Sequence, residues 1–146
     1  MKSKSDVRCS LAAVNTLLKH RLQPSFIELG LTLGQGQPRI LDSLLTLEGV
    51  TQTELADACR LDVTTLSRTI DHMESAGLLA RARDPECRRS WRIVLTDDGR
   101  RVAERVHEVF SNMDDRLCAV LNREETASLL CTLEKLENCL KECQNS

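Results

Sequence analysis

Apolar and polar residues alternate along this chain with periods that change from segment to segment. From about Asp6 to Leu29 the apolar positions Leu11, Val14, Leu17, Leu18, Leu22 and Ile27 recur at helical spacing. Pro24 lies inside that stretch and predicts a kink or interruption, because it has no N–H to give to the preceding turn. The stretch GLTLGQGQP then predicts a loop, and Arg39–Leu47 a short helix with Ile40, Leu41, Leu44 and Leu45 facing inward.

The next pattern is denser. In TQTELADACR, Thr51 and Glu54 stand three residues apart ahead of Leu55 and Ala58, the arrangement in which each side chain caps the other's backbone N–H at a helix start. CRLD predicts a tight turn, Asp62 a second cap, and Val63, Leu66, Ile70 and Met73 the inward stripe of a second helix that Gly77 ends. Two short helices joined in this way make a helix-turn-helix. LLARAR and SWRIVLT follow as two extended runs around the polar DPECRR, which predicts a hairpin turning at Asp84 and Pro85. In the second run Trp91, Ile93 and Leu95 should point one way, and Arg92, Val94 and Thr96 the other.

From Thr96, a plausible cap, a long helix is expected, with Val102, Val106, Val109, Phe110, Met113 and Leu117 on one side. A further helix from about Arg123 carries Leu129, Leu133, Leu136, Leu140 and Cys143 at alternating spacings of four and three, a coiled-coil-like seam. These stripes exceed what a small winged domain needs to cover, so they are expected to meet the N-terminal helix and a second copy of the chain. The fold class expected is therefore mainly α with a small β-hairpin wing, a winged helix-turn-helix plus long dimerisation helices. Residues 1–32 would form the N-terminal helix of the dimerisation region, 33–98 the winged domain and 99–146 the C-terminal dimerisation helices.

Composition narrows the chemistry only locally. The 146 residues carry 20 basic and 22 acidic side chains, so overall charge announces no polyanion partner. Between Arg81 and Arg92, however, five arginines face only Asp84 and Glu86, a net of +3. No apolar run approaches the roughly 18 residues of a membrane span, and the N-terminus has no secretion signal, so a soluble cytoplasmic protein is expected, without a membrane partner. Seven cysteines make an odd count with no CxxC pair, which argues against a disulfide framework, a zinc ribbon or a thioredoxin-like site. His20, His72 and His107 are isolated, and no Ser/His/Asp or paired-carboxylate set suggests itself, so neither an enzyme nor a bound cofactor is expected.

Double-stranded DNA is the partner that the pattern suggests. A step of 100° per residue puts Thr64, Arg68, Asp71 and His72 on the solvent side of the second helix, and Thr64, Thr65, Ser67 and Arg68 lie in the N-terminal half that reaches base edges. A solvated polar face is the blander reading of any one helix, but a capped helix before it and a basic hairpin after it make DNA recognition the better one. Gln52 and Thr53 open the first helix, where free N–H groups favour a phosphate, although simple capping explains them equally well. Arg88 and Arg89 sit near the hairpin tip, placed for a narrow minor groove. Arg81, Arg83 and Arg92 read as phosphate neighbours or strand-face charges.

GQPRIL, TQTELADACRLDVTTLSRTIDHMESAGLLARARDPECRRS and IVLTDDGRRV closely resemble the multiple antibiotic resistance regulator family, MarR. The resemblance is strong from about Leu31 to Val106, and its specific part is Asp-Pro-Glu-x-Arg-Arg-Ser followed by Leu-Thr-x-x-Gly. It implies an obligate homodimer whose two winged domains read a pseudo-palindrome. It also implies a repressor released by a small ligand or by thiol oxidation. By position, Thr64, Thr65, Ser67 and Arg68 match the recognition helix and Arg89 the arginine of the wing. A ligand pocket between the first helices and the winged domain would bring in His20, Phe26 and Arg39. The departure is Cys87, since family members commonly carry there an aspartate that orients the wing arginine; Asp84 or Glu86 is the available substitute.

Cys87 beside two arginines is a candidate redox or metal residue, against the plainer reading of an exposed thiol. Cys139 and Cys143, one helical turn apart, could offer two thiolates to one ligand, against the plainer reading of interface packing. Cys59 and Cys118 are expected in the core. The alternative function is therefore a cysteine-based metal or redox sensor that uses the winged fold for protein interaction.

Overall fold

The computed structural model describes residues 3–32, 36–87 and 89–144, the side chain of Gln144 excepted. The chain divides into two compact units, Met1–Val109 and Phe110–Ser146. In the first unit, helix α1 (Lys4–Glu28) begins where the Ser3 N–H donates to the Asp6 carboxylate at 2.5 Å. Of the kink or interruption expected at Pro24, the interruption does not occur, and the helix runs through it. It ends at Gly30, whose φ of +75° lets the Leu31 N–H reach the Phe26 carbonyl at 2.9 Å. Phe26 is the one residue of α1 that is buried, while Val7, Leu11, Val14, Leu17 and Ile27 stay exposed.

Helix α2 (Gln37–Thr46) starts two residues earlier than expected, with Pro38 in its first turn, where a missing N–H leaves no bond unmade. Strand β1 (Val50–Thr51) follows. Two residues cannot show an alternation, which is why the sequence pattern did not reveal this strand. Helices α3 (Gln52–Cys59) and α4 (Val63–Ser75) form the helix-turn-helix. Their caps are those the sequence predicts: Glu54 N–H donates to Thr51 Oγ1 and Thr51 N–H to the Glu54 carboxylate, both at 3.3 Å, and Thr65 N–H donates to Asp62 at 2.9 Å.

Strands β2 (Leu79–Arg83) and β3 (Trp91–Leu95) make the hairpin, and β1 adds to the other side of β3 in a three-stranded antiparallel sheet of order β1-β3-β2. Ile93, almost wholly buried at the sheet centre, lies opposite Val50 of β1 and Arg81 of β2. Helix α5 (Asp97–Ala119) begins at Thr96, whose hydroxyl accepts from Gly99 N–H at 3.0 Å and donates to the Gly77 carbonyl at 2.6 Å. Gly99 is buried against the Leu78 backbone, and a Cβ there would stand 1.8 Å from the Leu78 carbonyl oxygen. The Leu-Thr-x-x-Gly signature thus has a steric meaning: threonine caps the helix, and glycine lets it press on the bend between α4 and β2.

The core comprises Ile40, Leu41 and Leu44 from α2, Leu55 and Cys59 from α3, and Leu66, Ile70 and Met73 from α4, closed by Ile93, Ala103 and Val106. Two assignments to that core need correction. Val63 is 53 % exposed, because it is the first residue of α4 and falls before the inward stripe closes; Thr69 takes the buried place, its hydroxyl donating to the Thr65 carbonyl at 2.9 Å. Cys118 is exposed rather than core, near the end of α5 and beyond its buried part. Trp91 is also 47 % exposed, so only Ile93 of the expected strand face is fully inward.

In the second unit, α5 finishes and α6 (Arg123–Gln144) follows after a cap in which the Asn122 and Glu125 side chains each accept the other's N–H at 2.9 Å. None of the described residues of this unit is buried. Leu117, Val120, Leu129, Leu130, Leu133 and Leu140 all stay exposed.

Candidate nucleic-acid interface

Helix α4 presents its N-terminal half to solvent. Thr64 and Arg68 are exposed, and Thr65 and Ser67 are half-buried at the edges of the same face. Thr64, Thr65, Arg68 and Thr69 line a shallow recess of about 200 Å³. The inward residues Leu66, Ile70 and Met73 hold the helix from behind, so the polar face is set by packing and needs no partner to form. Asp62 keeps the first turn in register, and hydrogen bonds from Thr65 hold its carboxyl below the usual range. Gln52 and Thr53 open α3 as expected. Gln52 is half-buried and Thr53 exposed, immediately after the Thr51 cap.

The turn between the two helices is held from both sides. Arg60 adopts φ +54°, the one positive value at a non-glycine residue among those described, and Leu61 N–H then reaches the Ala56 carbonyl at 3.0 Å. Arg39 donates from Nη1 to the Cys59 carbonyl at 2.9 Å, fastening α2 to the end of α3. Burial pushes the Cys59 thiol up, and it donates at long range to the Arg39 carbonyl and Ser43 Oγ. Arg39 therefore has a structural task, and Phe26 has no exposed surface at all. His20 lies exposed on α1.

The basic hairpin is less uniformly free than its composition suggests. Arg81 bonds the Asp71 carboxylate at 2.6 Å and Glu74 at 3.1 Å, which ties β2 to α4 and raises the guanidinium pKa. Instead of standing as a phosphate neighbour, it neutralises the acidic end of α4. Arg92 pairs with Asp84 at 3.1 Å and also donates to the Gly49 carbonyl. Arg83 lies over the Trp91 ring, 5.3 Å from its centroid. Arg89 is exposed at the tip and makes no ion pair among the described residues. Arg88 lies outside the described residues.

Asp84 is thus not the partner of Arg89. It accepts from Glu86 N–H at 3.0 Å and from Arg92, and these bonds hold its carboxyl below the usual range. Cys87 is exposed in the tip, where its N–H donates to the Asp84 carbonyl at 3.3 Å and its carbonyl accepts from Ser90 N–H at 3.1 Å. Cys139 and Cys143 are exposed on α6. Among the described residues no three His, Cys, Asp or Glu side chains gather to hold a metal ion, and no helix is long and apolar enough to cross a membrane.

Residues 33–91, which contain α2, the helix-turn-helix and the first strands of the wing, match the model of the MarR family. Over those residues the chain is similar to the MarR family. Among curated relatives is the HTH-type transcriptional regulator BilQ of Clostridium symbiosum (strain WAL-14163), 32% identical over 88 residues. That match covers 60% of this chain and 61% of BilQ, so the chain spans about three fifths of the relative's length. Among solved structures, AbsC, a MarR family transcriptional regulator from Streptomyces coelicolor, superposes with a TM-score of 0.82 at 26% identity, covering 97% of each chain. The transcriptional repressor CouR, bound to a 23-mer DNA duplex, superposes with a TM-score of 0.71 at 27% identity, over 88% of this chain and 89% of its own. The winged helix-turn-helix expected from the sequence is thus shared with known MarR-family regulators.

Proposed function

We propose that this chain is a dimeric DNA-binding transcriptional regulator of the MarR kind, a repressor that reads a pseudo-palindromic operator and is released by a small ligand or by thiol oxidation. The carrying observation is the α4 face, where Thr64, Thr65 and Arg68 stand at solvent on a helix fixed from behind by a closed core. Such a helix fits the major groove, with arginine bidentate to guanine and threonine meeting bases or phosphates. Gln52 and Thr53 at the start of α3 would take a backbone phosphate, and Arg88 and Arg89 a minor groove. The CouR–DNA structure supports the reading, because a similar fold there holds a duplex. Exposed leucines and valines along α1 and α6 support the dimer, since a lone chain leaves those apolar stripes in water.

Selection of bound duplexes from a random pool, with reduced and with oxidised protein, tests the reading. A dyad-symmetric sequence recovered only with reduced protein is the expected result. On the selected duplex, Arg68→Ala should weaken specific binding by about 1–3 kcal/mol, and Arg89→Ala should lower both affinity and the salt slope. Enrichment of no sequence, or full binding by both variants, overturns the assigned face. No observation in the structure favours the metal-sensor alternative, for which Cys139 and Cys143 would supply only two donors.

A further inference from the structure

The wing tip runs from Asp84 to Ser90 and carries Arg89, yet position 87 holds a cysteine where the family resemblance expects an orienting carboxylate. The structure shows a different anchor. Asp84 opens the tip, but its side chain is only 8% exposed. Its carboxylate accepts from Arg92 Nη2 at 3.1 Å and from the Glu86 N–H at 3.0 Å. Its backbone closes the loop as well, taking the Cys87 N–H at 3.3 Å and giving its own N–H to the Ser90 carbonyl at 3.1 Å. The other Arg92 nitrogen, Nη1, donates to the carbonyl of Gly49, the residue before β1 that adopts φ +63°. Arg92 lies on the central strand, opposite Thr51 of β1 and Ala82 of β2. One planar guanidinium therefore spans the sheet, from the turn ahead of the helix-turn-helix to the base of the tip.

We propose that Arg92 and Asp84 form a clamp that sets the posture of the wing relative to the helix-turn-helix, making Arg92 the positioning residue for Arg89. The inference rests on the reading of Arg89 as a DNA-facing residue. The clamp does not touch Arg89 itself. It fixes both ends of the loop, so that Arg89 projects from an anchored base. An aspartate at position 87 would hold the arginine from within the tip; here the hold comes from the sheet below. A fork with two donors is needed, because a single point charge cannot bridge the Gly49 carbonyl and the Asp84 carboxylate in fixed directions.

The test compares Asp84→Asn, Arg92→Lys and Arg89→Ala in the full-length protein on a duplex selected by it. Asp84→Asn removes a negative charge from the tip, so charge alone would tighten DNA binding. The clamp instead predicts a weakening of about three- to tenfold, with no further loss when Asp84→Asn is added to Arg89→Ala. Arg92→Lys keeps the charge and should weaken binding to a similar extent; it also decides the matter should Asp84→Asn fail to fold. Trp91, the single tryptophan of the chain, pairs with Arg83 at the top of the hairpin and reports posture without DNA. Its emission and acrylamide quenching should change in both clamp variants, at an unchanged cooperative melt, and stay as in the native protein for Arg89→Ala. Binding by Asp84→Asn and Arg92→Lys at native strength, beside a weakened Arg89→Ala, overturns the clamp alone. Native binding by Arg89→Ala, beside a weakened Arg68→Ala, overturns the DNA role of the wing arginine and the clamp with it.

Discussion

The winged helix-turn-helix and the second unit of this chain solve the problem of apolar surface in opposite ways. In the helix-turn-helix and the helix before it, α2, α3 and α4 are short, from 8 to 13 residues, yet each buries its stripe against a neighbour in the same chain. In the second unit α6 is 22 residues long and, among the described residues, buries nothing. Length did not decide the outcome; closure did. A helix below about 12 residues is marginal alone and lives on tertiary packing, which the winged unit supplies from within. The long helices leave most of their leucines exposed.

The sharpest way to break the winged unit is at Gly99. A methyl group there meets the Leu78 carbonyl at 1.8 Å, against backbone that cannot step aside. Gly99→Ala should cost about 4 kcal/mol or more in a urea titration, a magnitude reached only by a few mechanisms. A matched pair of truncations comes next. Leu66→Ala, at a fully buried position, should cost about 3 kcal/mol at any protein concentration. Leu133→Asp in the other unit should leave the winged unit's own melt nearly untouched, while abolishing the concentration dependence of the native protein's unfolding midpoint. Equal losses from the two changes, both independent of concentration, would erase the contrast between the units.

Smaller effects sharpen the picture at the α4 cap. Asp62→Ala removes the acceptor for Thr65 N–H and should lower the urea midpoint less than either core change. Because the folded-state pKa of Asp62 is depressed, its contribution is present above the ordinary aspartate value of about 3.9 and is lost as pH falls through the lowered one. Asp84 follows the same sign, so acid should loosen the wing base as well. A pH titration followed by NMR at Thr65 and Glu86 amides would read both; a midpoint at or above the ordinary value contradicts the depressed pKa. Cys59, pushed up by burial, should be the last thiol alkylated in the native state, after exposed thiols such as Cys87.

Much of this was legible in the sequence where the signal is local. The Thr51–Glu54 box, the Asp62 cap and the Gly77 stop each depend on residues within a few positions of one another, and all three stand in the structure. The helical stripe of α4 was legible except at its ends, where Val63 lies outside the packed turns and Thr69 enters them by bonding its own helix. Strand β1 was not legible, because its two residues acquire meaning only opposite Ile93 and Arg92. The largest misreading concerned charge. Five arginines near the hairpin looked like one basic patch, but Arg81 reaches back ten residues to Asp71, and Arg92 joins Asp84 to Gly49. Net charge along a segment cannot show which cations are already answered across the fold.

The contact of Thr96 with Gly77 carries a mechanical consequence. Gly77 closes α4, with Leu78 N–H on the Met73 carbonyl at 3.0 Å, and the Leu78 carbonyl in turn receives the Thr96 N–H at 3.1 Å. One residue and two carbonyls thus tie the end of α4 to the first turn of a helix 23 residues long. A change at Thr96 would therefore disturb the end of α4 and the start of α5 together.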